Sequence, residues 1–293
     1  MEKVRIITDS NSGILQSEAA ELGVFAIPMP ITIDGEEYEE EISISQDKFY
    51  SILKENPNAN VSTSQPSPGY LQDLWDEQLK EAQSILYIPM SSGLSGTCEN
   101  AKRLAQEYDG KVQVVDNQRI SVTQKESVLE AIALAKMGKS AADIKDYLER
   151  TKDKASIYIC VDTLKFLKKG GRISATAAAL GAMLRVKPIL SSRGGKFEKC
   201  AMAMSMGQAK KRMISQIKSE LENEFKEEYA AGKMCIYVAH TQNEEEAKKF
   251  AAEIENDIPN TKIKFIDPLS LSVSCHIGPG ALAIAMAVNN FAE

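Results

Sequence analysis

SILYIPMSSGLSGTCENAKRLAQEY, residues 84 to 108, decides the fold. The apolar run at 84–90 reads as a strand, the serine- and glycine-rich SSGLSGT at 91–97 as a turn, and CENAKRLAQEY as a helix. The rhythm recurs outward from this unit. VRIIT (4–8), VFAIPM (24–29), VQVVD (112–116), SIYICVD (156–162), MCIYVAH (234–240) and IKFID (263–267) all read as strands, most of them separated by amphipathic stretches. Strands alternating with helices of ~10–15 residues are the signature of βαβ units and a parallel sheet.

Near residue 155 the rhythm changes. LKFLKKGGRISATAAALGAMLRVKPIL (164–190) opens on a lysine-rich turn, passes a Gly-Gly pair and enters an alanine-rich helix. The expectation is an α/β chain: an N-terminal parallel-sheet α/β domain over 1–155 and a second, α+β domain over 156–293. The second should hold strands around 188 to 204, a long helix from about Gln208 to Glu228, the MCIYVAH strand and a last helix starting near Gly280. Local signals are firmest at Ser67, an N-cap followed by Pro68 at the first helical position. Asp34-Gly35 should turn a hairpin, and the acidic run after it should be a solvated face. Asp116, Asp162 and Asp267 end strand runs, and capping of the next turn is the favoured role for each.

Composition narrows the function. With 43% hydrophobic and 26% charged residues the chain is long and apolar enough for two cores, and a net charge of -6 disfavours a nucleic-acid phosphate surface. No signal-peptide pattern opens the sequence and no apolar run approaches the ~20 residues of a membrane span, so a cytoplasmic protein is expected. Cys98, Cys160, Cys200, Cys235 and Cys275 are widely spaced and odd in number, which points to free, mostly buried thiols. With two histidines, His240 and His276, no metal site is expected.

Three glycine motifs can be tested against known chemistry. AKMGKS ends like a phosphate loop, but position 133 is alanine where the loop needs glycine. Around Ser95 the order Gly93-Leu94-Ser95-Gly96 puts the second glycine one place too early for a nucleophile elbow. GPGALA (278–283) fits GxGxxA, but a dinucleotide site needs an acid ~20 residues on and a following strand, neither of which is expected here, and Pro279 lacks an amide hydrogen. What remains is a series of polar turns: TDSNSG at 8–13, STSQPSP at 62–68, SSGLSGT, GGRIS at 170–174 and CHIGPG at 275–280. Hydroxyls and amides at helix starts, without dense positive charge, suit a single carboxylate better than a polyphosphate.

These motifs, in this order over nearly the whole chain, resemble the DegV family of bacterial fatty-acid-binding proteins. The resemblance implies a two-domain α/β protein enclosing one long-chain fatty acid, with the carboxylate at the domain junction and the tail in an apolar tunnel. It implies Thr63 and Ser95 as carboxylate ligands, His276 nearby, and Arg172 in the head-group region. Ser64 and Gly96 accompany them in the same two turns, and the last segment, about 274–293, would return to the ligand. The AAALGAMLRV helix and the Met-rich AMAMSM are candidate tunnel walls.

The resemblance further implies a substrate carrier that works with a separate fatty acid kinase related to dihydroxyacetone kinases, with no catalysis and no cofactor of its own. A monomer is expected. One departure stands out: where partner-competent members carry an arginine after the GGK turn, this chain has Met204-Ser205. The loss of a guanidinium bears on partner binding rather than on lipid binding. The basic Lys210, Lys211 and Arg212 should form a solvated helix face. The alternative of a different class is a serine hydrolase of acyl esters using Ser95 and His276. A sugar- or phosphate-binding module depending on Arg172 is the third.

Overall fold

The computed structural model describes residues 2–179 and 186–291. The chain divides into two compact units, Met1–Asp153 with Ser270–Ser272, and Lys154–Leu269 with Val273–Glu293.

The first unit holds strands β1 (Val4–Asp9), β2 (Phe25–Ile27), β3 (Pro30–Ile33), β4 (Glu36–Glu39), β5 (Val61–Thr63), β6 (Ser84–Ile88) and β7 (Val112–Val114). Its helices are α1 (Gln16–Leu22), α2 (Gln46–Glu55), α3 (Pro68–Gln78), α4 (Thr97–Ala105), α5 (Val122–Lys136) and α6 (Ala141–Arg150). The main sheet runs β2-β1-β6-β7 and every pairing is parallel. Ile7, Ile85, Tyr87, Trp75 and Cys98 pack together where α3 and α4 cover it. Helix α3 starts as its sequence requires: Ser67 Oγ accepts the Tyr70 amide at 3.2 Å, with proline at the first helical position.

A smaller antiparallel sheet, β4-β3-β5, carries Thr63 at the end of β5. Asp34 and Gly35, with φ of 50° and 94°, turn its hairpin as expected. The acidic run that follows is not uniformly solvated. Glu40 is 1% exposed, because Ser10, Leu271 and Ser272 surround its carboxyl with donors.

The second unit is α+β. Its strands are β8 (Ala155–Cys160), β9 (Lys187–Ser192), β10 (Glu198–Ala203), β11 (Met234–His240), β12 (Ile263–Pro268) and β13 (Leu282–Val288), in the order β10-β9-β8-β13-β11-β12. β11 and β12 pair in parallel and the other neighbours antiparallel. The helices are α7 (Lys165–Gly170), α8 (Ala175–Ala178), α9 (Met206–Glu222), α10 (Lys226–Ala230) and α11 (Glu244–Asp257), with α12 (Leu271–Ile277) belonging to the first unit at Leu271 and Ser272 and to the second from Val273 on.

Three expectations are corrected here. The segment after Gly280 is strand β13, not a helix: LAIAMAV is buried throughout and bonds to β8 on one side and β11 on the other. Alanine, leucine and methionine favour helix intrinsically, but a place at the centre of a sheet outweighs a few tenths of a kcal/mol per residue, roughly the scale of propensity. The long helix stops at Glu222, where the Asn223 amide and side chain both donate to the Ser219 carbonyl, and resumes as α10. Lys210 is buried rather than solvated, paired with Glu246 at 2.6 Å and Glu253 at 2.5 Å on α11. No helix among the described residues is long and apolar enough to cross a membrane.

Candidate functional site

In the first unit the two hydroxyl-rich turns are neighbours. Ser91 is buried, its amide donates to the Arg119 carbonyl at 2.9 Å, and its Oγ accepts the Gly93 amide at 3.1 Å. The chain then reaches Ser95, whose Oγ accepts the Thr97 amide at 3.2 Å and lies 2.9 Å from Thr97 Oγ1. Ser95 thus stands just before α4, half-buried, one residue ahead of the N-cap Gly96, and its hydroxyl shares a hydrogen bond with that of Thr97. Gly96 lies against the other turn: a Cβ there would come 2.7 Å from Gln65 Nε2, and Gln65 Oε1 accepts from Asn100 Nδ2. Gln65 follows half-buried Thr63 and exposed Ser64, whose amide donates to the Pro30 carbonyl at 3.2 Å. The turns at 63–65 and 95–97 therefore form one polar cluster, with Gln65 of the STSQPSP turn as a member and Asn100 as one that no local motif marked.

The second unit builds another cluster from α7 and α12. Gly171, at φ 68°, ends α7 in the left-handed conformation. Gly170 is glycine for a different reason, since a Cβ there would sit 2.2 Å from His276 Nδ1 and the imidazole packs directly over this backbone. The Arg172 guanidinium turns back to donate to the Gly170 carbonyl. The sequence-derived Arg172 and His276 are thus brought together. Burial first, and the Arg172 charge second, lower the His276 ring to about 4, so it is neutral at physiological pH with one N–H to donate. The CHIGPG turn closes on the same elements. Gly278 (φ 81°) faces Phe166, and Gly280 (φ 80°) faces Asp162.

TDSNSG proves to be support rather than lining, since residues 8–12 are all buried. Asp9 accepts the Met90 amide and Gln124 Nε2, each at 3.0 Å, and so holds the strand β6 end that leads into SSGLSGT. Burial raises the Asp9 carboxyl above its ordinary value. The strand-end acids diverge: Asp116 accepts the Ser92 amide at 3.4 Å and pairs with Lys102, whereas Asp162 forms an ion pair with Lys187 at 2.5 Å. Cys98, Glu99 and Asp116 offer the one grouping of metal-type ligand atoms among the described residues. Its thiol is pushed up to about 12 by burial, and Lys102 already bonds both carboxylates, so it reads as an ion-pair cluster. None of the five cysteines is in a disulfide. Of the suggested tunnel walls, Leu180–Arg185 lie outside the described residues; Ala203 is buried and Met204 is 71% exposed.

Comparison with known proteins fits this architecture. The family model described as "Uncharacterised protein, DegV family" matches residues 3–289. A DegV domain-containing protein of Clostridium perfringens is 31% identical over 292 residues, 97% of each chain. One of Deinococcus radiodurans is 29% identical over 287 residues, 97% of this chain and 98% of the relative. Among solved structures, a fatty-acid-binding DegV family protein of Thermus thermophilus superposes with a TM-score of 0.86 at 28% identity, covering 98% of this chain and 100% of that one. DegV of Bacillus subtilis, described as a fatty acid binding protein, gives 0.83 at 29% identity, covering 99% and 100%. With a family match across nearly its whole length, the chain belongs to the DegV family.

Proposed function

We propose that this protein is a non-enzymatic carrier that binds one long-chain fatty acid. Its carboxylate accepts hydrogen bonds from Thr63, Ser95 and the neutral His276, and Ser64, Gly96 and Arg172 stand around the head group. The observation that carries the reading is full-length likeness to two solved proteins described as fatty acid binding. The chemistry of both polar clusters supports it. Hydroxyls and a neutral imidazole satisfy one anionic oxygen pair without the desolvation cost of a buried fixed cation. The acyl tail, in an apolar tunnel, supplies most of the affinity at ~0.8 kcal/mol per methylene before association costs.

A hydrolase using Ser95 and His276 is the weaker reading, because a ring lowered to about 4 is a poor general base near neutrality. Organic extraction of the purified protein followed by mass spectrometry tests the proposal. One acyl chain per protein is expected. Absence of acyl chains together with no binding of added palmitate refutes it, and fluorophosphonate labelling lost in Ser95→Ala supports the hydrolase instead. As a carrier the protein presents the carboxylate to a fatty acid kinase. Met204, exposed where partner-competent relatives are expected to carry arginine, should slow acyl phosphate formation, and Met204→Arg should restore it.

A further inference from the structure

Arg119 and Glu130 form an ion pair at 3.4 Å with both side chains withdrawn from solvent, 1% and 0% exposed. The guanidinium also donates to Ser127 Oγ and to the Thr151 carbonyl at the end of α6, each at 3.2 Å, and Tyr147 donates to the other Glu130 oxygen at 3.0 Å. Asn117, two residues earlier, reaches the same Ser127 Oγ at 2.6 Å. Two side chains therefore fasten the 117–121 loop to α5 and α6. The loop's backbone needs such a hold: Gln118 and Ser121 have φ of 56° and 55°, a region that L side chains enter at a cost and keep only where the surroundings impose it. An apolar pair of similar volume would serve core stability at least as well as a buried ion pair, so the charges point to placement of the loop.

That loop is the seat of SSGLSGT. The Ser91 amide donates to the Arg119 carbonyl at 2.9 Å and the Ser92 amide to Asp116 Oδ1 at 3.4 Å, while the Ser91 carbonyl accepts the amides of Leu94 and Ser95, each at 3.1 Å. Arg119, the Ser91 peptide and the Ser95 backbone thus form one continuous hydrogen-bonded path inside the first unit. Any residue at position 119 keeps the carbonyl, and only where that carbonyl stands depends on the side chain. We propose that Arg119, clasped by Glu130, is a positioning residue for Ser95: it sets where the SSGLSGT turn stands and so where that hydroxyl meets the ligand carboxylate. This rests on the reading of Ser95 as a head-group ligand. The turn's own hydroxyls settle its local bonds, and the buried arginine settles its place.

The test removes both charges at once, because a core tolerates Arg119→Met with Glu130→Leu better than one charge left alone. In 1H–15N spectra of the ligand-free double variant the Ser91 and Ser95 amides should shift. Hydrogen exchange of the Ser91 amide should quicken roughly tenfold relative to that of Ile85, whose amide bonds to the Lys111 carbonyl near the other end of β6. Palmitate should bind roughly tenfold more weakly, the scale of a modest coupling between sites. Unmoved Ser91 and Ser95 amides in the folded double variant, or equal acceleration at Ser91 and Ile85, make the ion pair structural alone and overturn the proposal. If the double variant does not fold, Ser127→Ala decides: it takes away the oxygen on which Asn117 and Arg119 converge while the ion pair remains. The same two amides should then move, and wild-type positions for both overturn the proposal. Failure of palmitate to bind the wild type refutes the head-group reading alone, since the amide spectra judge Arg119 without ligand.

Discussion

Gly96 and Gly170 each stand where a side chain would collide with a member of a polar cluster, and the collisions differ in kind. At Gly96 the obstacle is the amide end of Gln65, a flexible side chain on the protein surface. At Gly170 it is the His276 ring itself, half-buried and held by the helix it belongs to. The first cluster is made of turn and cap chemistry that each stretch of chain satisfies for itself. The second exists because α7 and α12, distant in sequence, pack backbone against ring. Substitutions should therefore be absorbed in the first cluster and transmitted in the second.

The largest expected effect is on pH dependence, because the hydroxyl cluster itself has no titrating ligand and the imidazole cluster does. His276 sits at about 4 when folded against an ordinary 6.5, so the unfolded chain binds more protons between these values and stability is lost as pH falls through that window. Glu40 has the opposite sign. Its folded value near 7 against 4.5 gives stability that is full below 4.5 and lost as pH rises through 7. Each contribution is about 3 kcal/mol at most, and the two nearly cancel over the shared window. Urea midpoints should therefore vary little from pH 4.5 to 6.5 in the wild type, rise with pH in Glu40→Gln and fall with pH in His276→Gln. Parallel curves for all three proteins would remove the electrostatic half of the comparison.

Next in size is Gly170→Ala. Overpacking against a ring costs about 1–3 kcal/mol, and palmitate affinity should drop roughly tenfold as the imidazole is displaced. Gly171→Ala is the control. It strains a left-handed residue for about 1 kcal/mol of stability, yet meets no atom within 4 Å and should leave palmitate affinity intact. Equal losses of affinity in both variants would show that the turn, not the contact with His276, is what matters.

The same division governs how much the sequence reveals. Strand, turn and helix over 84–108 are encoded locally, by an apolar run, hydroxyls that cap and a helical spacing, and so are Ser67-Pro68 and Asp34-Gly35. Nothing local separates Glu40 from the other acids of EEYEEE; Ser10, Leu271 and Ser272 select it from elsewhere in the chain. Lys210 looks like part of a basic face until α11 brings Glu246 and Glu253 to it. LAIAMAV carries no period that distinguishes a buried strand from a buried helix, and its pairing partners β8 and β11 decide. Gly170 is legible as a turn glycine, which describes its neighbour Gly171, while its own role depends on a ring supplied by α12.

The smallest effect, at Gly96, belongs to the first cluster and is the sharpest check on its autonomy. Ser95→Ala removes a hydroxyl that accepts the Thr97 amide and is proposed to donate to the ligand. A hydrogen bond to a charged group is worth about 1.5–3 kcal/mol, so palmitate should bind roughly tenfold to a hundredfold more weakly, while the loss of the bond to the Thr97 amide costs about 1 kcal/mol of stability. Gly96→Ala, one residue on, pushes only the mobile end of Gln65 and should change stability and affinity by less than about 0.5 kcal/mol, as a surface substitution does. Isothermal titration with palmitate and urea midpoints measure both variants. If Gly96→Ala weakens binding as much as Gly170→Ala does, the Gln65–Asn100 contact is transmitting rather than absorbing, and the hydroxyl turns are as tightly coupled as the histidine cluster.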